Sequence, residues 1–481
     1  MRVMRYVIAL LTLSAAICHT VLAYDPTFDP PVDYPVGTAP RSICGADFDG
    51  DLDNDLAIAN RNDSSVSVLI NNGDGTFQSA VNYAVDGIPA DIVAADFIGD
   101  SHIDLAVTVG VSNAISILVG NGDGTFLDTV YHVADTLGGP GPLCTGDFDD
   151  DGDNDLAVIG GSVTPFMRAY INDFYGYDFF EHLMVYEDTM PYDVVSADFN
   201  GDNLDDLAVL NYIPPLVYIY TATGGIFGWF TSYQCRFSNV GFDQIFCADV
   251  NNDSVVDIIG AFGGTNGGHG IFLGNGNGYF GEGSYTDSIG ETNRLHVADL
   301  DDDGDPDIAL TGISIDSVFV VVNDGSGSFS SPSAYYTGGM GTFIFAIELN
   351  GDNANDLVVS HYELNTVSVL INSGQVSGVN DSDCAMLPET LKLFCNYPNP
   401  FNPQTKIAYD LPGEATVTLN VFDASGRLVR ELVDGEVLSA GRYETKWNGR
   451  NNAGRLVASG VYFYRLEAGP FSETKSMVLL K

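Results

Sequence analysis

The sequence predicts an all-β chain, a seven-bladed β-propeller followed by an Ig-like β-sandwich, and three observations carry that expectation. An acidic nine-residue segment recurs seven times. Short β-rich runs bounded by Gly, Asn and Asp turns fill each interval, and a tail of different composition carries alternating strands of its own.

In chain order, Met1-Arg2-Val3-Met4-Arg5, an apolar run from Val7 to Leu13 and the small-residue end Val21-Leu22-Ala23 have the layout of a secretory signal, so residues 1–23 are expected to be removed after Ala23. Ile17 before Cys18 does not fit a lipid-attachment box. No later stretch of 18 apolar residues occurs, so no transmembrane helix is expected after signal cleavage.

Residues 24–376 hold the repeats. Their first acids are Asp47, Asp96, Asp147, Asp198, Asp249, Asp299 and Glu348, spaced by 49, 51, 51, 51, 50 and 49 residues. Each unit offers an apolar stretch such as Asp91-Ile92-Val93-Ala94-Ala95, the acidic loop, a run such as Leu105–Val109, an alternating segment such as Ile115–Val119, an Asn-Gly-Asp-Gly-Thr-Phe turn and a last strand. Four-strand units repeated about an axis protect their edges by radial closure. The seventh unit lacks its last strand after Asn372, and residues 28–36 match that missing strand, so they are expected to latch the ring.

The loops follow Asp-x-[Asp/Asn]-x-Asp-x-x-x-Asp. Calcium takes six to eight oxygens, and carboxylates at positions one, three, five and nine with a carbonyl at seven suit it. The expected ligands are Asp47, Asp49, Asp51, Asp53 and Asp55 in loop one; Asp96, Asp100 and Asp104 in loop two; and Asp147, Asp149, Asp151, Asp153 and Asp155 in loop three. Loops four and five supply Asp198, Asn200, Asp202, Asp206 and Asp249, Asn251, Asp253, Asp257. Loop six supplies Asp299, Asp301, Asp303, Asp305 and Asp307, and loop seven Glu348, Asn350, Asp352 and Asp356. Position seven varies freely, as suits a carbonyl ligand, and position four is Gly, Asn or Asp, the types that tolerate a left-handed backbone. Position two is always apolar, which implies a side chain turned into the blade. The loops together hold 30 acids, a density that calls for a neutralising cation. Loops one, three and six, with Asp at positions one, three, five and nine, are expected to bind best; Ile98 at position three weakens loop two.

Formal net charge is −47, and residues 24–376 contain only five cations, Arg41, Arg61, Arg168, Arg236 and Arg294. So anionic a surface excludes nucleic acid as a partner. Residues 389–481 hold eleven Lys and Arg against ten acids, which marks a separate domain.

The unit Ala-Asp-Phe-Asp/Asn-Gly-Asp with Asp-Leu-Ala-Val and Asn-Gly-Asp-Gly-Thr-Phe resembles the FG-GAP/VCBS repeats of integrin α-subunit propellers and of many bacterial surface proteins. The resemblance implies a calcium-stabilised seven-bladed propeller, often used in adhesion or glycan binding.

A Ser-, Gly- and Asp-rich linker, residues 377–388, precedes the tail, residues 389–481. Strands such as Lys406–Tyr409, Ala415–Phe422 and Gly460–Leu466 read as a sandwich of about seven strands. Asn396-Tyr397-Pro398-Asn399-Pro400-Phe401-Asn402-Pro403, Phe422–Arg427, Trp447-Asn448-Gly449-Arg450, Ser459–Tyr462 and Lys475–Lys481 resemble the type A sorting domain of the type IX secretion system. That resemblance implies the type IX machinery as a partner and a place outside the cell, secreted or on the outer-membrane surface of a diderm bacterium.

Metalloprotease, nucleophile-elbow and phosphate-loop motifs are absent, and Gly276-x-Gly278-x-x-Gly281 sits in a hairpin turn. The expected function is therefore non-enzymatic recognition of a glycan or protein ligand at the cell exterior. A polysaccharide-active enzyme and a purely structural surface protein remain the alternatives. Aromatics where repeats three and four lose the standard turn, Phe174, Tyr175, Tyr177, Phe179, Phe180, Tyr218, Tyr220, Phe227, Trp229 and Phe230, are the candidate ligand contacts. Cys235 with Cys247 and Cys384 with Cys395 are plausible bridges, whereas Cys44 and Cys144 should stay unpaired.

Overall fold

Alternating apolar segments pair with their sequence neighbours because short connections rich in Gly, Asn and Asp join them, which makes every blade an antiparallel meander. In a computed structural model the described residues are 26–373, 392–393 and 405–479. Within these, 111–113, 134–138, 162–164, 173–178, 186–189, 213–215, 223–229, 236–240, 265–266, 291, 313, 412–414, 424–425, 439–440, 453–454 and 470 are excepted. The signal, the linker, Cys384, Cys395 and the segment 396–403 lie outside them. The chain divides into two compact units, Met1–Ser377 and Gly378–Lys481.

The first unit contains, among the described residues, seven four-stranded sheets. Blade one comprises Pro40–Ala46, Asp55–Asn60, Ser65–Leu69 and Val81–Ala84. The innermost strands of blades two to seven are Pro89–Ala95, Pro140–Gly146, Pro191–Ala197, Gln244–Ala248, Arg294–Ala298 and Phe343–Ile347. Each packs beside the next, and Phe343–Ile347 returns to Pro40–Ala46, closing the ring. The second strand of each blade begins with the last Asp of the loop and is buried on both faces, as in Asp104–Val109 and Asp356–His361. That is why these strands read as continuous apolar runs.

Among the described residues seven hydrophobic clusters lie between blades, each shared by two neighbours. The position-two side chains Phe48, Phe97, Phe148, Phe199, Val250, Leu300 and Leu349 are buried in them, each at the junction with the next blade. The turn phenylalanines Phe77, Phe126, Phe280 and Phe329 pack back on the preceding blade.

The latch forms. Val32–Pro35 is the outermost strand of blade seven, with Val32 opposite Val369 and Pro35 opposite Thr366. It is fixed by a polar chain in which the Ser368 hydroxyl donates to the exposed Asp33 and the buried His361 Nε2 lies 2.7 Å from Ser368 Oγ.

The second unit pairs a three-stranded sheet (Lys392–Leu393, Thr405–Leu411, Gly441–Trp447) with a four-stranded sheet. The latter runs in the order Leu428–Leu438, Ala415–Asp423, Gly460–Ala468, Phe471–Leu479. Alternation in Gly460–Ala468 sends Tyr462, Tyr464 and Leu466 inward against Trp447, Ile407 and Met477.

Two expectations are corrected. Cys247 is a free thiol on the inner strand of blade five, whereas the backbone of Cys235 ends the outermost strand of blade four, so the two positions stand at opposite edges of their blades. Tyr220 is buried and Tyr218 packs with it between blades three and four, so alternation at the interface, not ligand contact, accounts for them. The side chains of the other eight aromatics lie outside the described residues.

Candidate metal centres

Each acidic loop joins the first strand of a blade to the second, and its shape is set by its own carboxylates. In loops one to four the position-one Asp accepts the backbone N–H of positions four and six at 2.6–3.0 Å. Asp249 and Asp299 accept the position-six N–H at 2.7 and 2.9 Å. The longer Glu348 folds differently and accepts from Asn350 and Gly351. In all seven loops the position-five Asp accepts the position-seven N–H at 2.8–3.0 Å.

This winding needs two left-handed residues. Position four has φ between 56° and 81°. Position six, which the spacing alone does not flag, has φ between 66° and 92°, even where it is Leu52, Ser101 or Ser254.

The position-nine Asp has a role that sequence reading missed. In every blade its two oxygens accept the N–H of position two and an N–H at the end of the third strand, at 2.7–3.1 Å. Asp55, Asp104, Asp155, Asp206, Asp257, Asp307 and Asp356 are thus buried clamps that close each loop onto its blade. Desolvation pushes their carboxyls up to about 7, 6, 8, 7, 6, 7 and 7, against the lowering by those hydrogen bonds.

The loops also stitch the ring. Asn71, Asn172, Asn323 and Asn372 Nδ2 donate to the position-two carbonyl of the preceding blade at 2.6–2.9 Å. Asn54, Asn154 and Asn355 Nδ2 reach its position-one carbonyl at 2.8–3.2 Å.

Position three divides the loops. In loops one, three and six it is Asp, and carboxylate oxygens converge: Asp47, Asp49 and Asp55; Asp147, Asp149 and Asp155; and Asp299, Asp301 and Asp303 each offer atoms within 4.8 Å of one another. These oxygens can only accept when ionised. Asp149 Oδ1 and both oxygens of Asp301 are buried with no hydrogen-bond partner among the described residues. Desolvation and then neighbouring carboxylates raise Asp149 to about 6 and push Asp49 and Asp301 up. Such a cluster is relieved by a proton or a cation, and all-oxygen donors at this spacing fit a hard divalent ion such as calcium.

In loops four, five and seven position three is Asn. Its Oδ1 accepts the position-five N–H at 2.9–3.1 Å, which fixes the orientation of the amide. Its Nδ2 then donates to a loop carboxylate: Asn200 to Asp206 at 3.4 Å, Asn251 to Asp253 at 3.1 Å and Asn350 to Asp352 at 3.0 Å. An N–H thus stands where a cation would otherwise be needed. In loop two Ile98 packs into the apolar cluster between blades two and three, and His102 Nδ1 lies 3.4 Å from Asp100.

At position seven, the Asp53 carboxylate lies against Gly73, and that of Asp305 lies against Gly325 and accepts from Asn252 Nδ2 at 2.5 Å. These side chains serve turns of the neighbouring structure, which leaves position seven its carbonyl to offer. Asp96, Asp100, Asp198, Asp202, Asp249, Asp253 and Asp352 keep the positions expected for them in the loop winding.

No curated protein matches the chain. One solved structure similar to it shows specific recognition of non-reducing terminal N-acetylglucosamine by an Agrocybe aegerita lectin, at 18% identity over 64% of this chain and 90% of that one, TM-score 0.45. A second is BBS1N in complex with ARL6DN, at 13% identity over 74% and 98%, TM-score 0.49. A third is a functionally unknown protein from Desulfotomaculum acetoxidans, at 12% identity over 81% and 98%, TM-score 0.43. The FG-GAP-like repeat family matches residues 47–107 and 96–158, and the FlgD Ig-like domain family matches residues 399–469. The chain therefore carries FG-GAP-like repeats in its propeller and an FlgD-type Ig-like domain near its C-terminus.

Proposed function

We propose that the chain is an extracellular recognition protein whose propeller is stabilised by calcium in loops one, three and six, and that it binds a glycan or protein ligand without turning it over. The observation that carries this reading is the convergence of acceptor-only oxygens in those loops, with Asp149 Oδ1 and both oxygens of Asp301 buried and unsatisfied among the described residues. Asp47, Asp49, Asp51 and Asp55 would hold the ion in loop one, with the equivalent residues in the other two. The ion would neutralise the crowded carboxylates and lock the first two strands of the blade together. The C-terminal sandwich serves export as a type A sorting domain, and the protein acts outside a diderm bacterium. Its support is the motif set of residues 396–481 and the FlgD-type match.

A glycan array with the purified protein in calcium tests recognition; blank glycan and protein arrays together would leave a structural role. Truncation after residue 388 tests sorting, with retention in the periplasm expected and normal surface or medium levels contradicting it.

An enzymatic reading has one observation in its favour: Asp91 and Asp193 share the central channel, and desolvation raises Asp193 to about 7. Yet Asp91 accepts from Ser42 Oγ, Ile92 N and Leu143 N, and Asp193 from Ile245 N, so both act as clamps onto the next blade. Hydrolysis or elimination of an array-positive glycan on prolonged incubation would favour the enzyme.

A further inference from the structure

The central channel concentrates the few cations of the propeller. It forms a cavity of about 880 Å³ bounded by the innermost strands, and Arg41, Arg61 and Arg294 all line it. These are three of the five Lys or Arg residues between positions 24 and 376, in a chain of net charge −47. A scattering of surface charges does not produce that placement. Local structure aims two of the groups. Arg41 is the extra residue where the pairing of Pro40–Ala46 with Asp55–Asn60 shifts register between Pro40 and Ser42, and such a bulge re-aims its side chain. Arg294 is held by Nη1, which donates to the Asp243 carbonyl at 2.9 Å and the Asn293 carbonyl at 3.3 Å.

The guanidinium of Arg41 has no hydrogen-bond or ion-pair partner among the described residues, and neither do the remaining N–H groups of Arg294. Burial, then the charges of Arg294 and Arg61, hold Arg41 below the usual guanidinium range, so the three cations feel one another. The acids of the same cavity attract them at a distance, Asp91 toward Arg41 and Asp193 and Asp243 toward Arg294, but none of these carboxylates hydrogen-bonds or ion-pairs with a guanidinium among the described residues. Asp91 and Asp193 are spent on backbone N–H groups of the next blade, and Asp243 accepts from Gly263 N at 2.8 Å. Desolvation pushes all three carboxyls up, against the lowering by those hydrogen bonds and by the arginines. Deeper in the channel, His296 lies between Phe246 and Phe345 with ring centroids 4.8 Å away on each side and is driven down to about 4, so it adds no positive charge at neutral pH. Tyr192 and Phe343 also border the cavity.

We propose that the channel mouth is a binding site for an oxyanion-bearing saccharide, with the carboxylate or sulfate received by Arg41 and Arg294, Arg61 drawing it in, and the sugar ring set against Tyr192 and Phe343. A fork of N–H donors matches a planar or tetrahedral oxyanion, and cations at a low-dielectric mouth focus attraction in an otherwise repulsive field. The cavity is large enough for a short oligosaccharide end. This deepens the recognition reading, and the choice of a sugar as carrier rests on it.

The test is calorimetric titration of the full mature chain in calcium with trigalacturonate, a sulfated disaccharide and neutral maltotriose, repeated with Arg41→Gln, Arg41→Lys and Arg61→Gln. Since Arg41 makes no structural bond, Arg41→Gln should melt with the parent. The expected result is binding of at least one anionic probe that weakens with added salt and falls about tenfold or more in Arg41→Gln. Arg41→Lys should recover part of the loss, and maltotriose should not bind. Carboxylate and sulfate arms then identify the anion. No binding of either anionic probe, or binding indifferent to Arg41→Gln, overturns the proposal. Binding of neutral sugars unchanged by all three substitutions would also overturn it while leaving the recognition reading standing.

Discussion

A single carboxylate, repeated once per blade, shows how closely the two demands on these loops are joined. The spacing reads the position-nine Asp as a metal ligand, but its backbone-clamping role was not legible, because both need a short carboxylate at the same point. Asp155→Ala would strip partners from the buried N–H groups of Phe148 and Asn172. It is expected to cost about 2–5 kcal/mol even with a chelator present, read as a lower denaturant midpoint. The left-handed position six was hidden for a different reason: Leu52 and Ser101 are not residues that announce a positive φ. Leu52 has φ of 81° and an exposed side chain, so Leu52→Gly is expected to raise stability by up to about 1 kcal/mol. A lower melting temperature for that variant would show the backbone there to be unstrained.

At the scale of the element, the acidic loop and the latch strand carry the testable weight. The clamp carboxylates and Asp149 have pKa values raised to about 6 to 8, with desolvation the leading cause. In the unfolded chain they titrate near 4. The cation-free folded state thus binds more protons than the unfolded one across this interval. Its stability is greatest below pH 4 on this account and is lost as pH rises through about 6 to 8. A bound cation replaces those protons, so the rise in melting temperature on adding calcium should grow from pH 5 to pH 8. An equal rise at both values would contradict the coupling. The latch was readable because blade seven visibly lacked a strand. Deleting residues 26–36 removes the pairing of Val32–Pro35 with Thr366–Leu370 and exposes the Ser368–His361 pair, so a sharp fall in melting temperature is expected. The Cys235–Cys247 pairing was misread because nearness in sequence says nothing about which end of a blade a residue occupies.

At the scale of the whole molecule, the period of 49 to 51 residues made seven blades legible, since each unit must bury its faces against two neighbours. The channel was invisible because Arg41, Arg61 and Arg294 come from blades one and six and meet only when the ring closes. The division of the loops was half visible: full carboxylate sets stood out, but not the amide N–H by which Asn200, Asn251 and Asn350 relieve their own loops. Replacing Asp49, Asp149 and Asp301 together by Asn should reproduce that self-satisfied state and make the melting temperature independent of calcium. Most direct is the calcium content of the purified mature protein, measured by elemental mass spectrometry after equilibration in millimolar calcium. The account predicts about three tightly held ions per chain, lost in the triple Asn variant, whereas none, or an equal content in parent and variant, would contradict it.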